Sequence, residues 1–487
     1  MKKRKIRKTG AMFALALGLA VLLSGCRGNV SDTDETSASA EVETTQEATE
    51  PQTTPNPTQS EPQSESEPQT KEPEAMEDGI RVILMTDMHY LSPELTDGGA
   101  AFQNMIEHGD GKLVNYSEEI LKAAFEEAVA QKPDVLILSG DISFNGEKKS
   151  HEGLAEILAQ VEDEGLTVLV IPGNHDINNP AATGYAGDRI YPAENISPQE
   201  FEEIYRNFGY DEAYSRDSHS LSYSYLIGDR ARLLMLDSCQ YEPRNQVGGM
   251  IQSETYDWIE EQLEEAQEEG QLVLPVAHHN LLDESKVYVQ DCTIEHSSRL
   301  IEMLEAQNVR LFLSGHLHVQ HFMQHNDIGI YEIVTSSLAT PPCQYGVLEY
   351  RWDESFDYQT KQVDMEGWAR EHASTDENLL HFRTYSPPTL NRIFYNQARD
   401  AMKDSASEEK SGFFVKLTDE EKDAMAKVYA DVNAACYAGN AIEAADAARA
   451  STGYAMWREY CYPALPYEYL EYIMEDAVKD YNRLSVQ

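Results

Sequence analysis

Five short stretches of the chain carry side chains able to hold metal ions. They are D-M-H (Asp87, His89), G-D-I-S-F-N-G (Asp141), P-G-N-H-D (Asn174, His175, Asp176), H-H-N (His278, His279) and G-H-L-H (His316, His318). Singly, each has an ordinary reading. D-x-H can be a polar strand end, Gly140–Asp141 a turn with a helix cap, and Pro172 to Asn174 a turn made of turn formers. Paired imidazoles are harder to place that way, because buried ring nitrogens need partners. Together the five are not independent, and six of the fourteen histidines fall within them. The donors are carboxylate, amide and imidazole, with no thiolate. That set suits Mn²⁺, Fe or Zn²⁺ rather than an all-oxygen calcium cage. Two four-coordinate ions want eight ligand bonds, whereas the expected ligands number seven. One carboxylate must therefore bridge. Two such ions can clamp a phosphoryl group and lower the pKa of a shared water.

Strand ends have to position these groups. Apolar runs end at or beside each: I-R-V-I-L-M-T-D (80–87), D-V-L-I-L-S-G-D (134–141), T-V-L-V-I-P-G-N (167–174), L-V-L-P-V-A-H-H (272–279) and V-R-L-F-L-S-G-H (309–316), with R-L-L-M-L-D-S (232–238) as a sixth run. Each is short, rich in Val, Ile and Leu, and bounded by turn residues, which predicts buried strands. Helical patterns such as S-E-E-I-L-K-A-A-F-E-E-A-V-A lie between them, with Ser117 as an expected N-cap. Alternation of this kind predicts an α/β sheet with helices on its faces, and ligands gathered at strand carboxyl ends fit open α/β architecture. Y-E-I-V-T-S-S, G-V-L-E-Y-R-W and F-D-Y-Q-T-K-Q-V alternate as antiparallel strands and close a domain spanning 79–370. Residues 371–487 read as an α-helical extension without a catalytic constellation.

Ahead of that domain, a basic start (Lys2, Lys3, Arg4, Lys5, Arg7, Lys8) precedes an apolar core ending in L-S-G-C at Cys26. The core is too short for comfortable membrane spanning, and residues 1–26 resemble a bacterial lipoprotein signal with Cys26 as the lipidated residue. Residues 27–78 are Ser, Thr, Glu, Gln and Pro, with no apolar face to repay chain entropy, and are expected to form a disordered tether. The expected location is the extracytoplasmic face of a bacterial membrane. With 85 acidic and 38 basic residues the net charge is −47, which disfavours nucleic acid as a partner. An anionic substrate then depends on local positive charge. Beyond Cys26 the cysteines are Cys239, Cys292, Cys343, Cys436 and Cys461, with no C-x-x-C pattern. A structural zinc site is not expected, and Cys436 could pair with Cys461.

In order and spacing, D-x-H, G-D-x-x-x-x-G, G-N-H-D, H-H and G-H-x-H resemble the calcineurin-like metallophosphoesterase superfamily over about residues 79–350. The resemblance implies a four-layer α/β-β/α sandwich with two mixed sheets. It implies that Asp87, His89 and His318 hold one metal, that Asn174, His278 and His316 hold the other, and that Asp141 bridges. His175 would contact the phosphate or protonate the leaving group, with Asp176 supporting it. Many relatives with phosphodiesterase activity read H-H-P where this chain reads H-H-N. His278, nearer its strand, is taken as the ligand, and His279 as a supporting or substrate contact. Residues 91–113 and 177–200 are long and aperiodic, and such loops are often functional. They are expected to shape the pocket, with Tyr185, Arg189 and Tyr191 as candidates. S-S-L-A-T-P-P-C-Q-Y-G (336–346) could line the pocket or serve as an edge connection.

The expected activity is hydrolysis of a small phosphate ester by a metal-bridging hydroxide. A diester is favoured because the set resembles the cyclic-nucleotide and glycerophosphodiester branch, which lacks extra tyrosine ligands. A phosphomonoesterase or nucleotidase, or a non-catalytic surface binding lipoprotein, are the alternatives.

Overall fold

In the computed structural model, residues 76–287, 289–404, 414–461 and 465–487 are described. The expected signal peptide, Cys26 and nearly all of the tether lie outside them. The apolar runs become strands because their β-branched and aliphatic side chains are buried on both faces. β1 (Gly79–Met85), β2 (Val135–Ser139) and β3 (Val168–Ile171) are followed by the hairpin β4 (Thr183–Ala186) and β5 (Arg189–Pro192). Next come β6 (Ser215–Arg216), β7 (Tyr223–Ile227), β8 (Ala231–Leu236), β9 (Leu272–Ala277) and β10 (Leu311–Ser314). The last are β11 (His321–Gln324), β12 (Tyr331–Val334), β13 (Gln344–Arg351), β14 (Phe356–Gln362) and β15 (Arg483–Val486).

They form a six-stranded sheet, β15-β14-β13-β1-β2-β3, and a seven-stranded sheet, β11-β12-β10-β9-β8-β7-β6. β1, β2 and β3 run parallel, as do β8, β9, β10 and β12. The expected antiparallel pairing therefore holds for β13 and β14, and for Tyr331–Val334 on one side, since that strand pairs antiparallel with β11 and parallel with β10. One apolar core joins the sheets: Ile83, Leu136 and Leu169 from the first and Leu233, Val276 and Leu313 from the second are fully buried in it. Each such side chain contributes about 1.5–3 kcal/mol of burial. Tyr223 crosses between the sheets, its hydroxyl 3.1 Å from the Val170 nitrogen.

The helix Ser117–Gln131 starts one residue earlier than a Ser117 cap would require. Tyr116 is its N-cap, and Ser117 Oγ instead accepts from Leu91 N and donates to Val114 O. Nor are the two long segments structureless. Residues 91–113 contain the helix Ala100–His108, and 177–200 contain the β4–β5 hairpin. Leu95, Phe102, Phe144 and Tyr185 share an apolar cluster that joins the two segments.

After β14 the chain is helical from Met365–Glu371 onward and packs a second core around the helix Asp419–Tyr437. Its end departs from the expected pure helix, because β15 returns to pair antiparallel with β14. All five described cysteines are free thiols, so Cys436 and Cys461 do not pair. No helix among the described residues is long and apolar enough to cross a membrane.

Candidate metal centre

The carboxyl ends of β1, β2, β3, β9 and β10 converge. Asp87 N donates to Gly140 O and His89 N to Asp141 O, which stitches the β1 turn to the β2 turn. Gly315 N donates to His278 O, and His316 N donates to Asp87 Oδ2 at 2.9 Å, joining the two sheets at the site. Five of the seven candidate ligands have left-handed backbones: Asp87 (φ 52), His89 (φ 45), Asp141 (φ 48), His316 (φ 71) and His318 (φ 61). Such conformations cost roughly 1–3 kcal/mol each and persist only where the surroundings enforce them. They reverse the chain so soon after each strand that the donors face one point.

The first group comprises Asp87, His89, Asp141 and His318, all buried. His89 Nε2 lies 3.1 Å from His318 Nε2, 3.9 Å from Asp87 Oδ1 and 3.8 Å from Asp141 Oδ2, and His318 Nε2 lies 3.3 Å from Asp87 Oδ1. Ligand bonds of about 2.0–2.2 Å set neighbouring ligand atoms roughly 3–3.5 Å apart, close to this spacing. Asp87 Oδ2 is occupied by Thr86 Oγ1 and His316 N, whereas the buried Oδ1 has no hydrogen-bond partner. An orphaned carboxylate oxygen aimed at two imidazole nitrogens is what a cation satisfies.

The second group makes the same case through tautomers. His278 Nδ1 lies 3.0 Å from Ser139 O and His316 Nε2 lies 2.8 Å from Asp291 O. Carbonyl oxygens only accept, so these nitrogens carry the protons. The opposite nitrogens, His278 Nε2 and His316 Nδ1, each stand 3.0 Å from Asn174 Oδ1. Three lone pairs thus converge, and a metal ion resolves that arrangement. Asp141 Oδ1 lies 3.5 Å from His278 Nε2 while Oδ2 faces His89, so one carboxylate touches both groups. Burial raises the Asp87 and Asp141 carboxyls, but the imidazoles outweigh it and hold both below the usual range. Burial alone would lower His278, yet Asp141 drives it up to about 9, so a proton and a metal ion compete for its Nε2. Buried anions here recruit whatever positive charge is at hand.

His279 is buried near His278 and His316, but both its nitrogens are taken, by Ser238 Oγ and Val247 O at 2.8 Å each. It braces the site instead of ligating. His175 stands apart with its Nδ1 3.0 Å from Phe144 O and 2.9 Å from Asn145 Oδ1, leaving Nε2 facing Asp141 Oδ2 at 3.9 Å. Asp176 does not support the imidazole as expected. Its carboxylate accepts from Gly173 N, Ile142 N, Ser143 N and Ser143 Oγ, which clamps the β2 and β3 turns together. Burial and the Asp141 charge push it up to about 7. Gly173 has no left-handed φ. Its role is close approach, since a Cβ there would lie 2.0 Å from Asp141 N.

The pocket walls differ from expectation. Tyr185 is buried against Phe102, while Arg189 and Tyr191 are exposed on the hairpin. Residues 336–340 act as scaffold: Ser337 Oγ and Ala339 N donate to Asp87 O. A cleft of about 760 Å³ opens beside the second group, lined by Asn178, Tyr241, Arg244, Gln246, Gln290 and Asp291 among others. Its wall touches the site directly, because Asn245 Nδ2 donates to Asn174 O. Sequence reasoning missed Lys112, whose side chain is buried beside Asp110. The one available signal was charge: Lys112 is the single Lys or Arg between residues 82 and 131 apart from Lys122.

Residues 80–320 match the family model of calcineurin-like phosphoesterases, and residues 364–480 match that of the C-terminal domain of cyclic nucleotide phosphodiesterase. A "probable cyclic nucleotide phosphodiesterase" of Synechococcus is 28% identical over 42% of this chain and 64% of its own length. The match thus spans less than two thirds of that relative. A second protein so named, from Psychrobacter arcticus, is 23% identical over 52% of this chain and 78% of its own length. Among solved structures, a dimetal phosphatase from Danio rerio is 15% identical, covering 58% of this chain and 96% of its own with a TM-score of 0.42. A purple acid phosphatase from yellow lupin is 16% identical, covering 58% and 51% with a TM-score of 0.39. With the five motifs at one point and the family model matched across them, residues 80–320 form a domain of the calcineurin-like metallophosphoesterase superfamily.

Proposed function

We propose that this protein is an exported, lipid-anchored phosphodiesterase acting on a small phosphate diester of the cyclic nucleotide type. The observation that carries the reading is the shared carboxylate of Asp141, with one oxygen toward His89 and the other toward His278. When bound, two ions would supply an activated water and neutralise charge at phosphorus. Asp87, His89 and His318 would hold one, Asn174, His278 and His316 the other, and Asp141 both. His175, oriented by Phe144 and Asn145, presents Nε2 to the pocket and exchanges a proton there with the leaving oxygen.

A diester carries a second substituent beyond phosphorus, and the cleft beside Asn174 and His316 has room for it. Its carboxamides and Arg244 offer donors and acceptors to a sugar and base. The names of the two bacterial relatives and of the matched C-terminal family support the same substrate class. Export rests on the basic start, the apolar core and L-S-G-C at Cys26.

The test is a screen of the Mn²⁺-loaded protein against bis-(p-nitrophenyl) phosphate, p-nitrophenyl phosphate and cyclic nucleotides. Diester turnover above monoester turnover is expected, and turnover confined to monoesters would overturn the diester reading. Cys26→Ala should move the protein from the membrane fraction to the soluble one.

A further inference from the structure

Within the site, one buried charge has no place in the reaction so far. Lys112 sits in the turn G-D-G-K that follows the helix Ala100–His108, its side chain 2% exposed in a strongly acidic chain. An ammonium carries three donors. Asp110 Oδ2 takes one at 2.8 Å, and no other described residue accepts from Nζ. The nearest further group is the Phe144 ring, whose centroid is 5.9 Å away. Burying an ammonium with unused donors is costly, so the fold must hold it there for something.

Its surroundings say for what. Phe144 carries the carbonyl that orients His175. The next residue, Leu113, donates its N–H to Ala339 O at 2.8 Å, and Ala339 N donates to Asp87 O. Lys112 is thereby set between the His175 side and the Asp87 side of the centre. The helical region fixes the turn from outside. Gly111 has φ 94, and a Cβ on it would lie 2.7 Å from Leu390 Cδ1.

We infer that Lys112 is a catalytic residue that donates to a phosphoryl oxygen of the substrate, on the face of phosphorus shared with His175. This rests on the phosphoesterase reading, and it adds a protein-borne cation to the charge that the metal ions bring. Asp110 holds the ammonium in place between turnovers. The donors left over by Asp110 are the ones the phosphoryl group fills, forming charge-assisted hydrogen bonds with no proton transferred.

The experiment is calorimetric titration of inorganic phosphate into the metal-loaded protein, alongside kinetics on the same ester substrates. Lys112→Met should weaken phosphate binding about 10- to 100-fold, the loss expected for one hydrogen bond to a charged group. Metal content should stay at the wild-type value, and Lys112→Arg should recover part of the affinity. Because Lys112→Met leaves Asp110 buried without its cation, Asp110→Asn/Lys112→Met is measured as well. That double variant should keep the wild-type melting temperature and still bind phosphate weakly. Wild-type phosphate affinity in the double variant would overturn the inference. The two readings fail separately. A wild-type protein that hydrolyses no ester would sink the function, whereas the phosphate titration tests Lys112 without turnover.

Discussion

The turns at the strand ends and the helical region that closes the chain both bear on one pocket, and they do so by different physics. The turns carry it directly: Asp87, His89, Asp141, Asn174, His278, His316 and His318 place donor atoms 3.0–3.9 Å apart. They are strained, polar and buried, and their order depends on hydrogen bonds between loops. Among the described residues, the helices from Met365–Glu371 onward supply no donor atom to either group. They act through packing: Leu390 meets the Gly111 turn, and Tyr437 O accepts from Gln320 N just past the last ligand. Between the regions lies an ionic link, His321 with Glu284 at 2.8 Å and Asp476 at 3.0 Å. The difference teaches that chemistry here is local to the turns, while the accuracy of the turns is borrowed from elements far away in sequence.

That division can be broken at several points. Removing the shared ligand, as in Asp141→Ala, should cost both metal affinity and activity, by 10³-fold or more in kcat/KM on the scale of several kcal/mol of lost charge stabilisation. Elemental analysis with diester kinetics checks it, and full metal content with full rate would end the two-ion reading. His175→Ala should keep both metals and lower kcat about 10²- to 10⁴-fold. If it emptied a metal position instead, the separation of His175 from the ligands would be wrong.

Gly173→Ala is a packing change inside the turn region. Its Cβ, 2.0 Å from Asp141 N, should displace the shared ligand and weaken metal binding by about 10- to 100-fold, the range seen when support of ligands is disturbed. Unchanged affinity would mean that the turns tolerate more slack than their contacts suggest.

The smallest effect concerns the link to the helical region. Burial would lower His321, but Glu284 and Asp476 raise it to about 9, above the unfolded value near 6.5. A raised folded pKa contributes stability that is full below the unfolded value and lost as pH climbs through 9, up to about 3 kcal/mol. Chemical denaturation between pH 6 and 10 should show that loss in the wild type and a flatter profile in His321→Gln. Equal slopes would remove the ionic link from the account.

Much of the site was legible in the sequence because metal ligation demands rare side chains at short, fixed offsets. D-x-H and G-H-x-H are such offsets, and a strand end confines them to one place. Gly173 was legible as a turn residue, but its reason was not, since the crowding comes from Asp141 thirty-two positions away. Asp176 and His279 were read as helpers of the chemistry, and both proved to be braces. Their partners, Ser143 and Ile142 in one case and Ser238 and Val247 in the other, lie on other loops that no local pattern connects. Residues 91–113 and 177–200 looked aperiodic because their short elements bury apolar side chains against each other, not along one periodic face.

By itself the sequence determined the residue types, the order of the strands that carry them, and so the class of chemistry, because ligand identity and strand hydrophobicity are properties of local composition. Only the tertiary structure decided which histidine nitrogen is bare, which acid braces and which one is shared, that Lys112 lies buried beside the centre, and that the chain's last strand returns to the first sheet. Those follow from contacts between segments tens to hundreds of residues apart, and a side chain's protonation and freedom are set by what it touches, whatever its neighbours in sequence.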